Sequence, residues 1–278
     1  MIVQLIYAAI VYNRILKTNV EESLIIRSTY GDIYKISFMA NNHKVKLARK
    51  HFTFPNDQNL LARELYLNEI KITQELDHPN IVKAWPTYFD DGNTDIEYLM
   101  ELGDTDALEL VNNLHQTSLD FKSSVKVMIV QMLSAVDYMH SMNVAHLDIK
   151  PENILVFNSQ QQFKLIDFGA AVESEFHACS AGTIKYMAPE VSCIGGGQAM
   201  YNAFQADIYS LGLTFWTLFM YSRETRDCYD PVLDDAQYDQ SSITDFLNKM
   251  MHCDPDQRSS IAELKQHPWM VNVVRTLF

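Results

Sequence analysis

The chain of 278 residues is 47% hydrophobic and 21% charged, which is typical of a globular protein and excludes a largely disordered one. Its formal net charge of −13 argues against non-specific binding to nucleic acid or to an anionic membrane. The four cysteines form no CxxC pair, so we expect free thiols and no structural zinc. These properties predict a soluble, intracellular protein of the cytoplasm or the nucleus.

The chain begins with an apolar run at residues 2–11. This run is too short to span a membrane and lacks the basic region of a signal peptide. We expect residues 1–20 to form an extension. The sequence leaves open whether this extension packs on the domain that follows or mediates a homodimer.

Strands dominate the predicted elements from there to about residue 102. Residues 23–39 are typical of a strand, a turn at Gly31 and a second strand. Residues 43–52 alternate like a strand, and residues 95–102 are a further candidate.

One helix is predicted among these strands, over residues 60–76. The residues "DHPN" at 77–80 end it, because Pro79 disfavours helical backbone at the residue before it. Its predicted apolar positions include Leu61, Leu65, Ile72 and Leu76.

Helices dominate beyond about residue 104. Residues 121–142 carry apolar side chains at three- and four-residue spacing, which predicts one buried face of a long helix. Further helices are predicted near 207–221, 241–252 and 259–266.

The order of elements predicts an α+β fold with two lobes. A small β-rich lobe is expected over residues 21–101 and a larger helical lobe over residues 102–278. The seam between two such lobes is a natural place for a ligand cleft.

Three short segments carry the chemistry: "VAHLDIKPENIL" at 144–155, "FKLIDFGAA" at 163–171 and "GTIKYMAPE" at 182–190. In this order they resemble the catalytic loop, the D-F-G motif and the A-P-E motif of eukaryotic-type protein kinases. The resemblance covers roughly residues 20–270, and Lys150 with "GTIKYMAPE" is similar to the serine/threonine class. It implies the bilobal kinase fold and transfer of the γ-phosphoryl group of ATP to protein hydroxyls, with ATP and Mg²⁺ as cofactors.

The resemblance assigns a role to each polar residue of these segments. Asp148 accepts or orients the proton of the substrate hydroxyl, and Lys150 neutralises charge on the moving phosphoryl group. Asn153 and Asp167 are the expected metal ligands, since Mg²⁺ prefers oxygen. Thr183 is expected beside Asp148, where it lines the acceptor site.

In the small lobe, "LARK" at 47–50 resembles the family's V-A-I-K. Lys50 is therefore the candidate for binding the ATP phosphates, and the small Ala48 is expected to face the adenine. Glu69, 19 residues further on, is the favoured carboxylate partner of Lys50, with Glu64 and Glu75 as alternatives on the same helix.

The glycine-rich loop departs from the family pattern G-x-G-x-x-G-x-V. Ile26 and Ser28 replace its first two glycines, whereas Gly31 is kept and Ile33 stands for valine. Glycines let backbone N–H groups approach phosphate oxygens closely. We therefore expect a raised KM for ATP.

The segment "YLMELGD" at 98–104 resembles the hinge that binds adenine. Met100 is the expected gatekeeper, and the ribose is left to either Asp104 or Asp106. The adenine itself is assigned to the carbonyl of Glu101, the N–H of Gly103 and the side chain of Leu155.

Two further matches are structural. Asp207 resembles the buried aspartate that anchors the catalytic loop backbone, and it is expected to cap its own helix. Glu190 and Arg258 resemble the family's buried ion pair.

Leu147 stands where many kinases have an arginine that binds a phosphate on the activation loop. We therefore predict activity that does not depend on phosphorylation within residues 170–187.

Glu152 and the net charge favour a basic protein substrate, although this glutamate is equally explained as generic to its motif. Two alternative functions are a pseudokinase scaffold with weak nucleotide binding and a small-molecule kinase.

Overall fold

The computed structural model describes residues 20–27, 31–40, 42–53, 60–89, 95–113, 119–157, 162–192, 200–221 and 242–277. The chain divides into two compact units. The first is Met1–Asp77 with Val82–Leu102, and the second is His78–Ile81 with Gly103–Phe278. The predicted extension at residues 1–20 lies outside the described residues except for Val20.

Among its described residues, the first unit comprises an antiparallel five-stranded sheet and one helix, α1 (Leu60–Glu75). The strand order is β1-β2-β3-β5-β4. Period-two alternation places Ile36 and Phe38 on one face, where they form a core cluster with Leu47 and Trp85. The strands are β1 (Glu21–Ile26), β2 (Asp32–Ala40), β3 (His43–Thr53), β4 (Ala84–Phe89) and β5 (Asp95–Glu101).

The sequence predictions for this unit hold for most elements. Strand β4 was not predicted, because Pro86 interrupts its strand-like sequence pattern. At the same place the pairing of β4 with β5 shifts register, between Trp85 and Tyr88. Of the predicted apolar positions, Ile72 and Leu76 are buried, whereas Leu65 is 54% exposed. The side chain of Leu61 lies outside the described residues.

The second unit contains most of the helices. Helix α3 packs its apolar face against β8 and α5, and its buried residues include Met128, Ile129, Met132, Leu133 and Met139. The elements are β6 (Thr105–Asp106), α2 (Ala107–Asn113), α3 (Leu119–Ser141), β7 (Ile154–Phe157), β8 (Gln162–Leu165), β9 (Phe176–His177), α4 (Pro189–Ser192), β10 (Tyr201–Asn202), α5 (Ala203–Tyr221), α6 (Ile243–Met250), α7 (Ile261–Gln266) and α8 (Pro268–Leu277).

The short segment His78–Ile81 lies in the middle of first-unit sequence but belongs to the second unit. The side-chain amide of Asn80 donates to Gln131 Oε1 at 2.8 Å and to the carbonyl of Phe163 at 2.9 Å. The carbonyl of Asn80 accepts from the N–H of Leu165 at 2.9 Å. These bonds attach the segment to α3 and β8.

The structure confirms the predicted α+β fold, with a β-sheet N-terminal part and a helical C-terminal part. None of the helices in the described ranges combines the length and hydropathy that are needed to cross a membrane.

Candidate active site

Lys50 and Glu69 form a buried ion pair in the first unit. Strand β3 carries Lys50 and helix α1 carries Glu69, and Lys50 Nζ lies 2.6 Å from Glu69 Oε1. Their side chains are only 7% and 1% exposed. The alternative partners Glu64 and Glu75 are both exposed. The structure thus pairs Lys50 with Glu69.

The residues around Lys50 in the sheet include Ile33, Ala48 and Met100. Ile33 of β2 is its cross-strand partner, and buried Ala48 lies on β3 opposite Met100 of β5. Gly31 has φ +108°, and a Cβ there would lie 2.5 Å from the ring of Phe52. Only glycine fits this position without displacing the ring. Of the two replaced glycines, Ile26 ends β1 and is exposed, and Ser28 lies outside the described residues.

The predicted hinge residues lie at the end of β5 and the start of the second unit. In the first unit, the N–H of Glu101 donates to the carbonyl of Lys83 at 3.1 Å, and its carboxylate accepts from the N–H of Lys83 at 2.8 Å. These two bonds fix the end of β5 against the chain that leads into β4.

The second unit holds the rest of the hinge. A Cβ on Gly103 would lie 3.0 Å from Cβ of Leu155, so the backbone at this glycine lies close to the Leu155 side chain. Asp106 Oδ1 accepts from the N–H of Glu109 at 2.8 Å and so caps α2. Asp104 is exposed.

The catalytic-loop residues meet in one hydrogen-bonded cluster around Asp148. Asp148 Oδ2 accepts from Lys150 Nζ at 2.7 Å, and Oδ1 accepts from the N–H of Thr183 at 2.7 Å. Lys150 Nζ also donates to Thr183 Oγ1 at 2.8 Å. The amide of Asn153 donates to the Asp148 carbonyl at 2.8 Å and to Oδ2 at 3.2 Å. A carboxylate, an ammonium group, an amide and a hydroxyl are therefore held together in one largely buried cluster of the second unit.

Asp207 anchors the backbone of this loop. Its two carboxylate oxygens accept from the N–H groups of His146 and Leu147, each at 2.8 Å. Leu147 has φ +61°, a left-handed conformation that is costly for leucine and that the pair of bonds to Asp207 holds in place.

The prediction that Asp207 also caps its helix is wrong. Helix α5 begins four residues earlier, at Ala203. The cap is Asn202, whose Oδ1 accepts from the N–H of Gln205 at 3.0 Å. Asp207 lies one turn inside the helix, where it is fully buried.

Asn153 and Asp167 are placed by two paired strands. Asn153 directly precedes β7, and Asp167 follows β8 by two residues, with a left-handed φ of +65°. The carbonyl of Asn153 accepts from the N–H of Ile166 at 3.0 Å. Both hydrogen bonds of the Asn153 amide described above use its nitrogen, so its oxygen is the atom suited to a hard cation.

This donor set fits Mg²⁺, which takes one or two protein oxygens and completes its shell with phosphate oxygens and water. Within the described ranges, no group of three or more His, Cys, Asp or Glu side chains is placed to hold a metal by itself.

Glu190 and Arg258 form the expected ion pair in the second unit. The guanidinium binds the carboxylate in a bidentate manner, at 2.6 and 2.7 Å, and the Arg258 side chain is fully buried. Arg258 also donates to the carbonyls of His252, Gln205 and Cys253. It thereby joins three segments of the chain.

The sequence analysis overlooked two tyrosines near the candidate site. Tyr98 donates to Glu69, and Tyr201 donates to the carbonyl of Cys179. A signal for Tyr98 was present in the sequence, because it lies two residues before Met100 and therefore on the same face of β5. Tyr201 gave no such signal, since its partner is a backbone carbonyl 22 residues away.

Comparisons with known proteins agree with this geometry. Residues 22–270 match the family model described as protein kinase domain. The SNF-related serine/threonine-protein kinase of Rattus norvegicus is 29% identical over 252 residues, which cover 82% of this chain and 33% of that protein. Calcium/calmodulin-dependent protein kinase type 1 of Caenorhabditis elegans is 31% identical over 220 residues, covering 73% of this chain and 61% of that protein.

The chain spans about a third of the length of the first curated relatives that it matches. The family match nevertheless includes every candidate residue described above, from Gly31 to Arg258. The chain therefore belongs to the protein kinase domain family.

Proposed function

We propose that this protein is a serine/threonine kinase that transfers the γ-phosphoryl group of ATP to protein hydroxyls. The observation that carries the proposal is the cluster of Asp148, Lys150, Thr183 and Asn153, in which a carboxylate, an ammonium group, a hydroxyl and an amide are hydrogen-bonded to one another. The names of the serine/threonine kinases that the chain resembles support the same class.

In this proposal Asp148 orients the substrate hydroxyl and accepts its proton. Lys150 balances negative charge on the transferred group, and Thr183 lines the acceptor site through the hydroxyl that Lys150 contacts. Asn153 and Asp167 hold Mg²⁺, which when bound neutralises charge on the phosphates.

The remaining candidate residues are assigned to ATP. Lys50, kept in position by Glu69, binds the phosphates. Gly31, Ile33 and Ala48 contact the nucleotide from the sheet, whereas Glu101, Gly103 and Leu155 bind the adenine. Asp104 is the better candidate for the ribose, because the carboxylate of Asp106 is engaged in capping α2.

The direct test measures transfer of radiolabelled phosphate from ATP to a basic protein. Asp148→Asn keeps the shape of the side chain but removes the base, so we expect turnover to fall by at least about 100-fold. Asp137→Asn, which alters an exposed pair with Lys265 on the same unit, is the matched control and should leave turnover unchanged. Full activity of Asp148→Asn would refute the assignment.

The replaced glycines favour one alternative, a pseudokinase scaffold with weak nucleotide binding. Two measurements separate the functions: calorimetric titration with Mg²⁺ and ATP gives the nucleotide affinity, and the phosphate-transfer assay gives the turnover. A scaffold would bind nucleotide weakly and show no turnover in the wild type, whereas the kinase shows turnover that Asp148→Asn abolishes.

We further propose that activity does not require phosphorylation of residues 170–187. Leu147 is buried and apolar, so it offers no charge to a phosphate. The segment around β9 is instead attached by hydrogen bonds that involve no phosphate. Strand β9 pairs with β10, and the N–H of Ala203 donates to the carbonyl of Glu175 at 2.7 Å.

Tyr201 adds to this attachment by donating to the Cys179 carbonyl at 2.9 Å. Burial, followed by the nearby charge of Asp207, raises the pKa of Tyr201 to about 12, so its hydroxyl remains a donor at neutral pH. At the other end of the segment, Asn143 donates to the carbonyl of Glu173 at 3.0 Å.

The test is phosphatase treatment of active enzyme, with mass spectrometry to verify that residues 170–187 carry no phosphate. We expect turnover to stay within about twofold of the untreated enzyme, because no phosphate is needed to order the segment. Loss of turnover on dephosphorylation would refute this proposal.

Substrate preference and oligomeric state complete the proposal. Exposed Glu152 and the acidic surface favour substrates with basic residues near the acceptor, which a peptide-library phosphorylation profile would test. Light scattering of a chain that lacks residues 1–12 would distinguish a homodimer through the N-terminal segment from packing of that segment on the domain.

A further inference from the structure

Tyr98 of strand β5 makes a contact that none of the roles above explains. Its side chain is almost fully buried, and its hydroxyl donates to Glu69 Oε1 at 2.7 Å. The same oxygen accepts from Lys50 Nζ at 2.6 Å. A cation and a neutral donor therefore share one oxygen of the buried carboxylate.

The sheet fixes the position of this tyrosine. Tyr98 is the cross-strand partner of Lys50 in the β3–β5 ladder. Its ring stacks with Phe52 of β3 at a centroid distance of 6.5 Å, and Lys50 Nζ lies 5.2 Å from the same Phe52 ring. The hydroxyl thus projects toward α1 from a rigid part of the sheet.

A second contact joins the same elements. Phe52 stacks on Tyr66 of α1 at 4.0 Å, and Tyr66 lies one helical turn before Glu69. In addition to the ion pair with Lys50, the turn of α1 that carries Glu69 is therefore attached to the sheet by the aromatic stack and by the Tyr98 hydroxyl.

We propose that Tyr98 is a positioning residue, which holds Glu69 and through it Lys50 in the arrangement that binds ATP. A buried carboxylate with a second fixed donor has fewer orientations, so the Lys50–Glu69 pair is formed before any ligand or partner binds. The kinetic consequence of this inference rests on the proposed kinase function.

The first experiment compares Tyr98→Phe, which removes only the hydroxyl, with Tyr34→Phe. Tyr34 of β2 also loses a hydrogen bond, to Asp32 at 3.3 Å, but it does not contact Glu69. We expect kcat/KM for ATP to fall about tenfold in Tyr98→Phe and to change less than twofold in Tyr34→Phe. The KM for ATP should rise while the KM for the protein substrate stays constant, whereas a loss of folded enzyme would lower kcat and leave both KM values unchanged.

A double-mutant cycle with Glu69→Gln shows whether Tyr98 acts through Glu69. We expect Tyr98→Phe to have almost no further effect once Glu69 is replaced, because the group that it positions is gone. An equal loss in both backgrounds would overturn the inference.

A third measurement does not depend on turnover. The rate at which an amine-reactive reagent labels Lys50, followed by mass spectrometry, should rise several-fold in Tyr98→Phe and stay at the wild-type rate in Tyr34→Phe. If Lys50 is labelled at the same rate in Tyr98→Phe and wild type, the role of Tyr98 is overturned even if the kinase is active. If the wild type shows no turnover but labelling is faster in Tyr98→Phe, only the kinase function is refuted. Thermal melts verify folding, and Tyr98→Met replaces Tyr98→Phe if the latter does not fold.

Discussion

Single residues in unusual backbone conformations concentrate around the candidate site. Leu147, Asp167, Gly31 and Gly182 all have positive φ, and the first two are not glycines. For the non-glycines Leu147 and Asp167 such conformations cost about 1–3 kcal/mol each and persist where surrounding contacts enforce them. For Leu147 those contacts are the two bonds to Asp207.

Gly31→Ala should be the most damaging change in the loop between β1 and β2. The new Cβ would lie 2.5 Å from the Phe52 ring at a φ of +108°. We expect the free energy of unfolding to fall by about 1–3 kcal/mol and the KM for ATP to rise. Urea titration measures the free energy of unfolding, and steady-state kinetics measure the KM for ATP. The control is Met39→Ala at an exposed position of β2, which should change stability by less than about 0.5 kcal/mol.

Restoring the missing glycines should have the opposite effect on nucleotide affinity. In Ile26→Gly/Ser28→Gly, backbone N–H groups can approach the phosphates more closely, so we expect a lower KM for ATP than in the wild type. A steady-state ATP titration with an unchanged KM would remove the explanation given for the degenerate loop.

At the scale of elements, the boundaries that the sequence failed to predict depend on contacts between distant residues. The start of α5 at Ala203 is set by the Asn202 cap, and Asn202 is held in turn by pairing of β10 with β9. Strand β4 was hidden by Pro86, and only its pairing with β5 reveals it. Long periodic elements such as α3 were predictable because their pattern is local.

The same distinction applies to the candidate site. The catalytic-loop residues could be identified because they lie within six positions of one another, from Asp148 to Asn153. The hydrogen bonds of Tyr98 to Glu69 and of Asn202 to Glu175 could not, because each joins two elements that are distant in the sequence.

Asn202→Ala should weaken the start of α5. The loss of the cap to Gln205 should lower the free energy of unfolding by about 1 kcal/mol in a denaturant titration. Asn202→Ser keeps a capping oxygen but loses the amide that donates to Glu175 at 2.9 Å. If both variants lose the same stability, the contact with Glu175 rather than the cap explains the effect.

At the scale of the whole molecule, Arg258 connects segments that are far apart in sequence. Removing its charge leaves Glu190 without its bidentate partner, so we expect Arg258→Met to cost about 3–5 kcal/mol of unfolding free energy. Adding Glu190→Gln to Arg258→Met should recover part of this loss, because no unpaired carboxylate then remains. A denaturant titration of both single variants and the double variant measures this coupling.

The bonds of Asn80 also bear on how this protein can be divided. Because the chain enters the second unit at residues 78–81, leaves it and returns at residue 103, expressing residues 103–278 alone would remove Asn80 from Gln131 and Phe163. Such a fragment would expose the edge of β8 and should precipitate. A fragment made by a single cut before residue 103 therefore lacks part of the second unit, because that unit is built from two separate stretches of the chain.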